Sequence, residues 1–203
     1  MSDKQRIVLA SGNRGKLAEF NQLLSDCDFT VIAQTELNIA DAEETGLSFV
    51  ENAIIKARNA AQHSGLPALA DDSGLEVDAL HGAPGIYSAR YAGLPSDDVA
   101  NNRKLLEALA AIPEDKRSAR FQCVLVFMRH ARDPSPLICQ GTWEGMILTS
   151  PRGEHGFGYD PLFFVPELQL TSAELPQAQK NQISHRGQAL QRLLAALRKR
   201  ALP

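Results

Sequence analysis

The spacing of apolar residues along the chain switches between two residues, as in a strand, and three or four residues, as in a helix. The first switch predicts a strand over residues 6–10, a turn at 11–13 and then a helix. The apolar positions of that helix are Leu17, Phe20, Leu23 and Leu24. The N-terminal part is therefore predicted to be strand, turn and helix in succession.

A second helix is predicted to begin at Ser48, because Ser48 and Glu51 have the spacing of a capping box. Gly65 and Pro67 end it. Its apolar face carries Val50, Ala53, Ile54, Ala57 and Ala61. Its opposite face is a polar stripe, either a solvated surface or the wall of a ligand site, formed by Asn52, Lys56, Asn59 and His63.

Two further helices follow from the same spacing. One covers residues 97–112 and stops at Pro113. Its inward positions are Val99, Leu105, Leu106, Leu109 and Ile112. The last helix is capped by Ser184, and its inward positions are Leu190, Leu193, Leu194 and Leu197.

The strand patterns complete the predicted architecture. Residues 67–70 indicate a brief buried strand that ends at an acidic pair. Residues 119–128 are nearly all apolar and predict a central strand. A turn at 133–136 then leads to separate extended runs at 137–139 and 145–148, as in an antiparallel hairpin. Alternating helices and strands with one antiparallel insertion favour an α/β fold with a mixed sheet.

Composition narrows the class of protein. The 203 residues suit one compact unit or two closely joined lobes, and 44% apolar with 22% charged residues is typical of a globular protein. A net charge of −3 gives no overall attraction to nucleic acid, so we expect a small partner held by local cations and backbone amides.

The N-terminus and the cysteines indicate the compartment. The apolar run at residues 7–10 is too short for a signal peptide or a membrane span, so we expect no membrane partner and a cytoplasmic location. Cys27, Cys123 and Cys139 are widely spaced and form no Cys-x-x-Cys pair. They are interpreted as reduced core thiols.

The first segment with candidate chemistry joins the first strand to the first helix. Its residues are Ser11, Gly12, Asn13, Arg14, Gly15 and Lys16. Two glycines, a helix N-terminus and a lysine suit a phosphate. The spacing differs from a Walker A loop, and an ordinary strand-to-helix turn is an equal alternative.

The second segment is acidic. Glu43 and Glu44 precede the second helix, and Asp71 and Asp72 close a buried strand. Carboxylates without nearby His or Cys suit a hard cation such as Mg²⁺. A solvated Asp-Asp-Ser-Gly turn is the alternative, since turns prefer this composition, but adjacent carboxylates gain from a shared counter-cation.

The remaining candidates lie near the C-terminus. Glycines on both sides of Phe157 would clear space for a flat base, and Asp160 could accept hydrogen bonds from that base or from metal-bound water. Lys180, His185 and Arg186 could read a carbonyl oxygen or a phosphate. Taken singly, these are also common core, cap or surface residues.

In order and spacing, these segments together resemble the inosine triphosphate pyrophosphatase (Ham) family over nearly the whole chain. The similar segments are residues 11–16, 43–46, 51–53, 70–74, 82–91, 157–161 and 184–186. The resemblance implies an ITPase-like (Maf/Ham) fold, with an elongated mixed β-sheet flanked by helices and two lobes around a central cleft. It also implies one functional unit over residues 1–203 and assembly as a homodimer.

The resemblance further implies site roles. Asp72 is the implied general base and a ligand of the Mg²⁺ cofactor, and either Glu43 or Glu44 is the second metal ligand. Triphosphate binding is implied for Ser11, Gly12, Asn13, Arg14, Gly15, Lys16 and Ser73, with Lys56 as a further candidate cation. Base recognition is implied for Phe157, Gly158, Tyr159, Asp160, Lys180, His185 and Arg186.

The implied reaction is attack of water on the α-phosphorus of a purine nucleoside triphosphate, with dITP, ITP or XTP giving a monophosphate and pyrophosphate. Donors in the base site would pair with a 6-oxo group and reject a 6-amino group, a mismatch worth roughly 10⁴-fold or more. One rival is a Maf-type pyrophosphatase, which the Phe157 and His185 segments disfavour. Another is a nucleotide-binding sensor without hydrolysis, which would need no general base.

Overall fold

The computed structural model of the protein describes residues 5–12, 16–17, 20, 22 and 29–199. Leu23, Leu24 and Cys27 lie outside these residues. The strands are β1 Gln5–Ala10, β2 Phe29–Ala33, β3 Ala68–Val77, β4 Ser118–Met128, β5 Leu137–Ile147, β6 Phe163–Val165 and β7 Leu170–Thr171. Within the described residues, the α-helices are α1 Phe49–Ser64, α2 Asp98–Ala108, α3 Gln177–Ile183 and α4 His185–Lys199.

The strands form one mixed sheet in the order β2-β1-β3-β4-β5-β6-β7. Strand β1 is parallel to β2 and to β3, with Ala10 opposite Ala70. At the other end, β6 is antiparallel to β5 and to β7. The predicted α/β fold with a mixed, open sheet flanked by helices is therefore confirmed, and β4 is its central strand.

The chain divides into two compact units. The first consists of Met1–Asp72, Cys123–Gln140 and Ala189–Pro203, and the second of Ser73–Gln122 and Gly141–Gln188. None of the helices in the described part of the chain combines the length and apolar character needed to cross a membrane.

In the first unit, the sheet is buried on both faces because alternate strand residues point to opposite sides. Ile7 and Leu9 of β1 pack in the cluster that contains Leu190 and Leu193 of α4. The intervening Val8 packs instead in the cluster with α1. The residues that α1 contributes to that cluster as buried side chains are Ala53, Ala57, Ala60 and Ala61. Small side chains let this helix lie close to the sheet.

The predicted ends of α1 are confirmed. Ser48 is the N-cap and its hydroxyl accepts a hydrogen bond from the Glu51 amide, while the Glu51 carboxylate accepts one from Leu47 N. These bonds satisfy amides that the helix leaves unpaired. Gly65 ends the helix at φ +69°, a conformation that glycine adopts without a steric penalty.

Strand β3 corrects one prediction. The run Asp71-Asp72-Ser73-Gly74 lies inside one continuous strand, rather than at a strand end or in a solvated turn. Asp71 and Asp72 are only 1% and 6% exposed. Local composition favoured a turn, but burial between neighbouring strands and ion pairs with lysines stabilises the extended form.

Other differences are smaller. The two extended runs predicted after residue 136 form the single strand β5. Val99, predicted to face inward, is 76% exposed in the first turn of α2, whereas Leu105 and Leu109 are buried as predicted. The helix α3 and the strands β2, β6 and β7 have weak sequence patterns and were not predicted.

In the second unit, Arg120 of β4 binds two neighbouring segments. Its guanidinium donates two hydrogen bonds to Asp78, which follows β3, at 2.7 and 2.9 Å, and one to Glu144 of β5 at 3.1 Å. The hydrogen bond from Arg120, supported by Ser118, lowers the pKa of Asp78 from 3.8 to about 2.

This ion pair predicts a pH-dependent contribution to stability. Because the folded pKa is depressed, the contribution is present above pH 3.8 and is lost as the pH falls through about 2. The Asp78 side chain is 46% exposed, so Asp78→Asn should lower the free energy of unfolding at neutral pH by at most about 1 kcal/mol. Urea titrations at several pH values measure this difference.

Asp115→Asn is the matched control, because Asp115 is exposed and contacts only Lys116 at 3.9 Å among the described ion pairs. It should leave the unfolding curve unchanged. A difference between wild type and Asp78→Asn that stays constant from pH 5 to pH 2 would contradict the assignment.

Candidate active site

The loop after β1 begins the candidate phosphate site. Ser11 is buried, and a Cβ at Gly12 would lie 3.3 Å from the Asp41 carboxylate, so this position has little room for a side chain. Asn13, Arg14 and Gly15 lie outside the described residues. Lys16, at the far end of the loop, has its Nζ 2.5 Å from Asp71 Oδ1.

Lys56 of α1 lies between two carboxylates. Its Nζ donates to Asp72 Oδ1 at 2.6 Å and to Glu44 Oε1 at 3.0 Å. Together with the Lys16 and Asp71 pair, these residues form what we call the carboxylate–lysine cluster. The structure thus brings together two lysines and three of the four predicted acidic residues, all within the first unit.

Burial changes the acidity of this cluster. Burial raises the pKa of Asp72 above its ordinary value, and the attraction of Lys56 only partly opposes the rise. Burial lowers the pKa of Lys56, but Asp72, Asp71 and Glu44 together outweigh that effect, so the net direction is upward. Lys56 therefore remains a cation at neutral pH, while Asp72 is a stronger base than an exposed aspartate.

The second oxygen of Asp72 provides a test of metal binding. Asp72 Oδ2 is buried and has no hydrogen-bond partner among the described residues. Such an oxygen is unfavourable unless a proton, a water molecule or a cation meets it. The described residues contain no cluster of three or more His, Cys, Asp or Glu side chains that could hold a metal. A site of two carboxylates still fits Mg²⁺, which keeps several waters and binds substrate phosphates.

The loop before α1 distinguishes the two adjacent glutamates. Glu44 is half-buried against Lys56, whereas Glu43 is exposed. The loop is held by Gly46, whose amide donates to Asn52 Oδ1 at 2.8 Å. A Cβ at Gly46 would lie 2.6 Å from Glu51 Cβ and 2.7 Å from Asn52 Oδ1, so only glycine allows this approach.

The polar stripe of α1 is therefore not a solvated surface throughout. Asn52 is fully buried and binds the 44–46 loop, and Asn59 donates to the Ala40 carbonyl at 3.0 Å. Only the helical spacing of these residues was visible in the sequence. The importance of Asn52 was missed, because nothing local identifies its partner Gly46.

In the second unit, Asp160 organises the glycine-rich loop. Its carboxylate accepts hydrogen bonds from Phe157 N at 2.9 Å, Ser172 Oγ at 2.7 Å and Lys180 Nζ at 2.7 Å. Both Asp160 and Lys180 are almost fully buried. Gly156 has φ +79°, and a Cβ there would lie 2.1 Å from Asp160 Oδ2. Asp160 thus holds the protein's own groups, in addition to any ligand it contacts.

Phe157 presents a partly exposed ring beside two cations. Lys180 Nζ lies 5.5 Å from the ring centroid, and Arg186 Cζ lies 5.8 Å from it. Arg186 also donates to Ser73 Oγ at 3.1 Å. Phe157, Lys180 and Arg186, which were predicted for base recognition, therefore lie together in the second unit, and Ser73, which was predicted for triphosphate binding, contacts Arg186.

His185 and Tyr159 are both buried. The His185 ring stacks on Phe121, with centroids 4.8 Å apart and an angle of 17° between the planes. The Tyr159 hydroxyl donates to the Ser88 carbonyl at 2.8 Å, and burial raises the pKa of this phenol, so it remains a donor. The Tyr159 hydroxyl is thus engaged by the backbone of the protein, and this bond links the glycine-rich loop to Ser88.

Two residues that the sequence analysis did not single out bind the neighbouring glycine. Asp98 Oδ2 accepts from Gly158 N at 2.7 Å, and Asn102 Nδ2 donates to Gly158 O at 2.8 Å. In the sequence, Asp98 is an ordinary acidic residue in the first turn of a helix. No local pattern connects either residue with position 158.

The fold and these two groups of residues define an α/β protein with a carboxylate–lysine cluster in one unit and an aromatic ring beside two cations in the other. The sequence profile of the Ham1 family matches residues 7–196. This chain is therefore a member of the Ham1 family.

Individual relatives agree with this assignment. The chain is 62% identical over 193 residues to the dITP/XTP pyrophosphatase of Vibrio cholerae, covering 95% of this chain and 96% of that protein. It is 60% identical over 194 residues to the enzyme of the same name from Escherichia coli O157:H7, covering 96% and 98%.

Solved structures show the same fold. A HAM1 protein from Coxiella burnetii superposes with a TM-score of 0.89 at 56% identity, over 97% of this chain and 100% of that one. The Staphylococcus aureus Ham1 protein gives 0.85 at 45% identity, over 96% and 99%.

The buried pair of Lys180 and Asp160 predicts a large effect on stability. Lys180→Met should lower the free energy of unfolding by about 3 to 5 kcal/mol, because it leaves the Asp160 carboxylate buried without its cation. Denaturant unfolding followed by circular dichroism measures the loss.

The double variant Asp160→Asn with Lys180→Met is the matched comparison, since it removes both charges. It should be more stable than Lys180→Met alone. If the double variant is instead destabilised by the sum of the two single changes, the two groups are not coupled and the prediction is wrong.

Proposed function

We propose that the protein hydrolyses the purine nucleoside triphosphates dITP, ITP and XTP to the monophosphate and pyrophosphate, and so removes non-standard purines from the nucleotide pool. The observation that carries this proposal is the buried carboxylate–lysine cluster on β3, in a chain that aligns over its length with proteins named dITP/XTP pyrophosphatase. A carboxylate that can act as a base, held beside lysine cations, suits hydrolysis of a phosphoric anhydride.

Asp72 is the proposed general base. Its Oδ1 is held by Lys56, and its buried Oδ2 has no partner among the described residues, so Oδ2 accepts a proton from the attacking water. The oxygen of that water bonds to the α-phosphorus, the bond from the α-phosphorus to the bridging oxygen breaks, and pyrophosphate leaves. The raised pKa of Asp72 favours this proton transfer.

Lys16 and Lys56 are the proposed phosphate-binding cations, with the Ser11 to Gly15 segment and Ser73. Both lysines contact aspartates. Because both side chains are also partly exposed, their charges can bind an anion as well. The proposed cofactor is Mg²⁺, held by Glu44 and Asp72, which when bound would supply positive charge to the phosphates. We propose Glu44 rather than Glu43, because Glu43 is exposed.

Base recognition is proposed for the second unit. The purine stacks on the Phe157 ring, and donors from Lys180, His185 and Arg186 select a 6-oxo group over a 6-amino group. We propose that residues 1–203 act as one functional unit. We also propose that the enzyme acts in the cytoplasm as a homodimer.

The substrate proposal predicts a ranking. Purified enzyme with Mg²⁺ should release pyrophosphate from ITP and XTP far faster than from ATP or dTTP. Asp72→Asn should lower kcat on ITP at least about 10²-fold, because the proton acceptor is removed. Ion chromatography of the products separates pyrophosphate from orthophosphate.

Strong turnover of ATP would reject 6-oxo selection. Release of orthophosphate would reject attack at the α-phosphorus. Unchanged pyrophosphate release by Asp72→Asn would reject the assigned base, while leaving the substrate class standing.

The two adjacent glutamates give a matched pair for the metal site. Glu44→Gln should raise the Mg²⁺ concentration needed for half-maximal rate by about 10- to 100-fold, because one oxygen ligand loses its charge. Glu43→Gln should leave it unchanged, since Glu43 is exposed. Titration of the rate with Mg²⁺ at saturating ITP measures both, and the reverse order would show that Glu43 is the ligand.

A further inference from the structure

We infer that Asp98 and Asn102 of α2 are positioning residues for base recognition, because they hold the peptide groups of Gly158 and thereby fix the Phe157 ring. The inference rests on the proposed function, in which Phe157 stacks on the purine. Neither residue belongs to the segments that resemble the family's motifs.

The contacts form a two-point clamp. Gly158 N donates to Asp98 Oδ2 at 2.7 Å, and Gly158 O accepts from Asn102 Nδ2 at 2.8 Å. Asp98 and Asn102 are four residues apart on α2 and so lie on the same face of the helix. The backbone N–H and C=O of Gly158 are thus both bound by side chains of the same helix.

The helix that carries the clamp is itself anchored. The Asp97 side chain caps it by accepting from Val99 N and Ala100 N at 2.9 and 3.1 Å. Asn101 exchanges hydrogen bonds with the 89–92 segment, donating to Ala89 O and accepting from Ala92 N. Leu105 is fully buried in the core of the second unit. Motion of the clamp would require displacement of this core.

The loop needs such a clamp because it is rich in glycine. Gly156 and Gly158, on either side of Phe157, have φ of +79° and +61°. Glycine has wide conformational freedom, so hydrogen bonds must select the conformation that is kept. On the N-terminal side of the ring, Phe157 N donates to Asp160. On the C-terminal side, Asp98 and Asn102 bind Gly158.

The consequence for binding follows from preorganisation. A ring that is already in place loses little freedom when a base stacks on it, whereas a loosened loop must be ordered during binding. The proposed proton acceptor and lysines belong to other segments of the chain. Loss of the clamp should therefore raise KM for ITP and change kcat little.

The experiment compares Asp98→Ala, Asp98→Asn and Asn102→Ala in the full-length protein with Mg²⁺. Asp98→Asn removes the charge but keeps an oxygen acceptor, so it separates the hydrogen bond from the helix-terminal charge. Arg103→Ala is the matched control, because this neighbouring side chain is 73% exposed and, among the described residues, forms an ion pair only with Glu107 at 3.9 Å.

Asp98→Ala and Asn102→Ala should each raise KM for ITP by about fivefold or more, with kcat within about twofold of wild type. Asp98→Asn should restore most of the affinity, and Arg103→Ala should match wild type. Thermal unfolding of each variant is measured alongside, to show that the proteins are folded at the assay temperature.

Three results would overturn the inference while wild type hydrolyses ITP: unchanged KM in both alanine variants, a fall in kcat alone, or an equal rise in KM in Arg103→Ala. Failure of wild type itself to release pyrophosphate from ITP or XTP would instead reject the proposed function. The two failures are therefore distinguishable.

Discussion

Two adjacent aspartates lie inside a strand, and two lysines offset the cost of burying them. An ionised carboxylate that loses its water is unfavourable by several kcal/mol unless a partner replaces the hydration. Lys16 meets Asp71 at 2.5 Å, and Lys56 meets Asp72 at 2.6 Å. The first lysine comes from the segment after β1 and the second from α1, so the ion pairs tie two neighbouring segments to β3. Without these ion pairs, the buried extended form of this acidic segment would be unfavourable in free energy.

The packing of α1 follows from the same constraint. Lys56 reaches Asp72 because the helix presents alanines to the sheet, and small side chains allow a close approach. The polar face then carries Asn52 and Lys56, four residues apart, toward the 44–46 loop. Gly46 lets that loop lie against the helix, and Glu44 completes the cluster. One helix with two distinct faces thus determines both the core of the first unit and the arrangement of its charged groups.

Local signals in the sequence were sufficient for much of the fold. The capping box at Ser48, the apolar run of β4 and the leucine spacing of α4 each depend on residues close in sequence, and each prediction is confirmed. The form of β3 could not be predicted in this way. Asp-Asp-Ser-Gly is a turn composition, and only distant lysines and flanking strands reverse that preference.

The site shows the same division. Motif order identified the family and most of the charged residues that the structure brings together. Asp98 and Asn102 were not identified, because each binds a backbone group of Gly158, which is distant in sequence, and any residue type supplies such a group. The choice between Glu43 and Glu44 likewise depends on which side chain faces Lys56. The sequence does not indicate which glutamate faces Lys56, whereas in the structure Glu43 is exposed and Glu44 contacts Lys56.

The buried ion pairs also bear on why the protein keeps charged groups in its interior. A buried salt bridge adds little net stability, and apolar residues of similar volume often replace one at no loss. Lys56 with Asp72, and Lys180 with Asp160, are therefore poorly explained as stabilising devices alone. Each pair lies beside a group that the proposed function uses: the second oxygen of Asp72 in one unit and the partly exposed ring of Phe157 in the other. Charges held in fixed positions by their neighbours would need little reorganisation in the proposed binding of a triphosphate and its base, and that advantage accounts for their burial better than stability does.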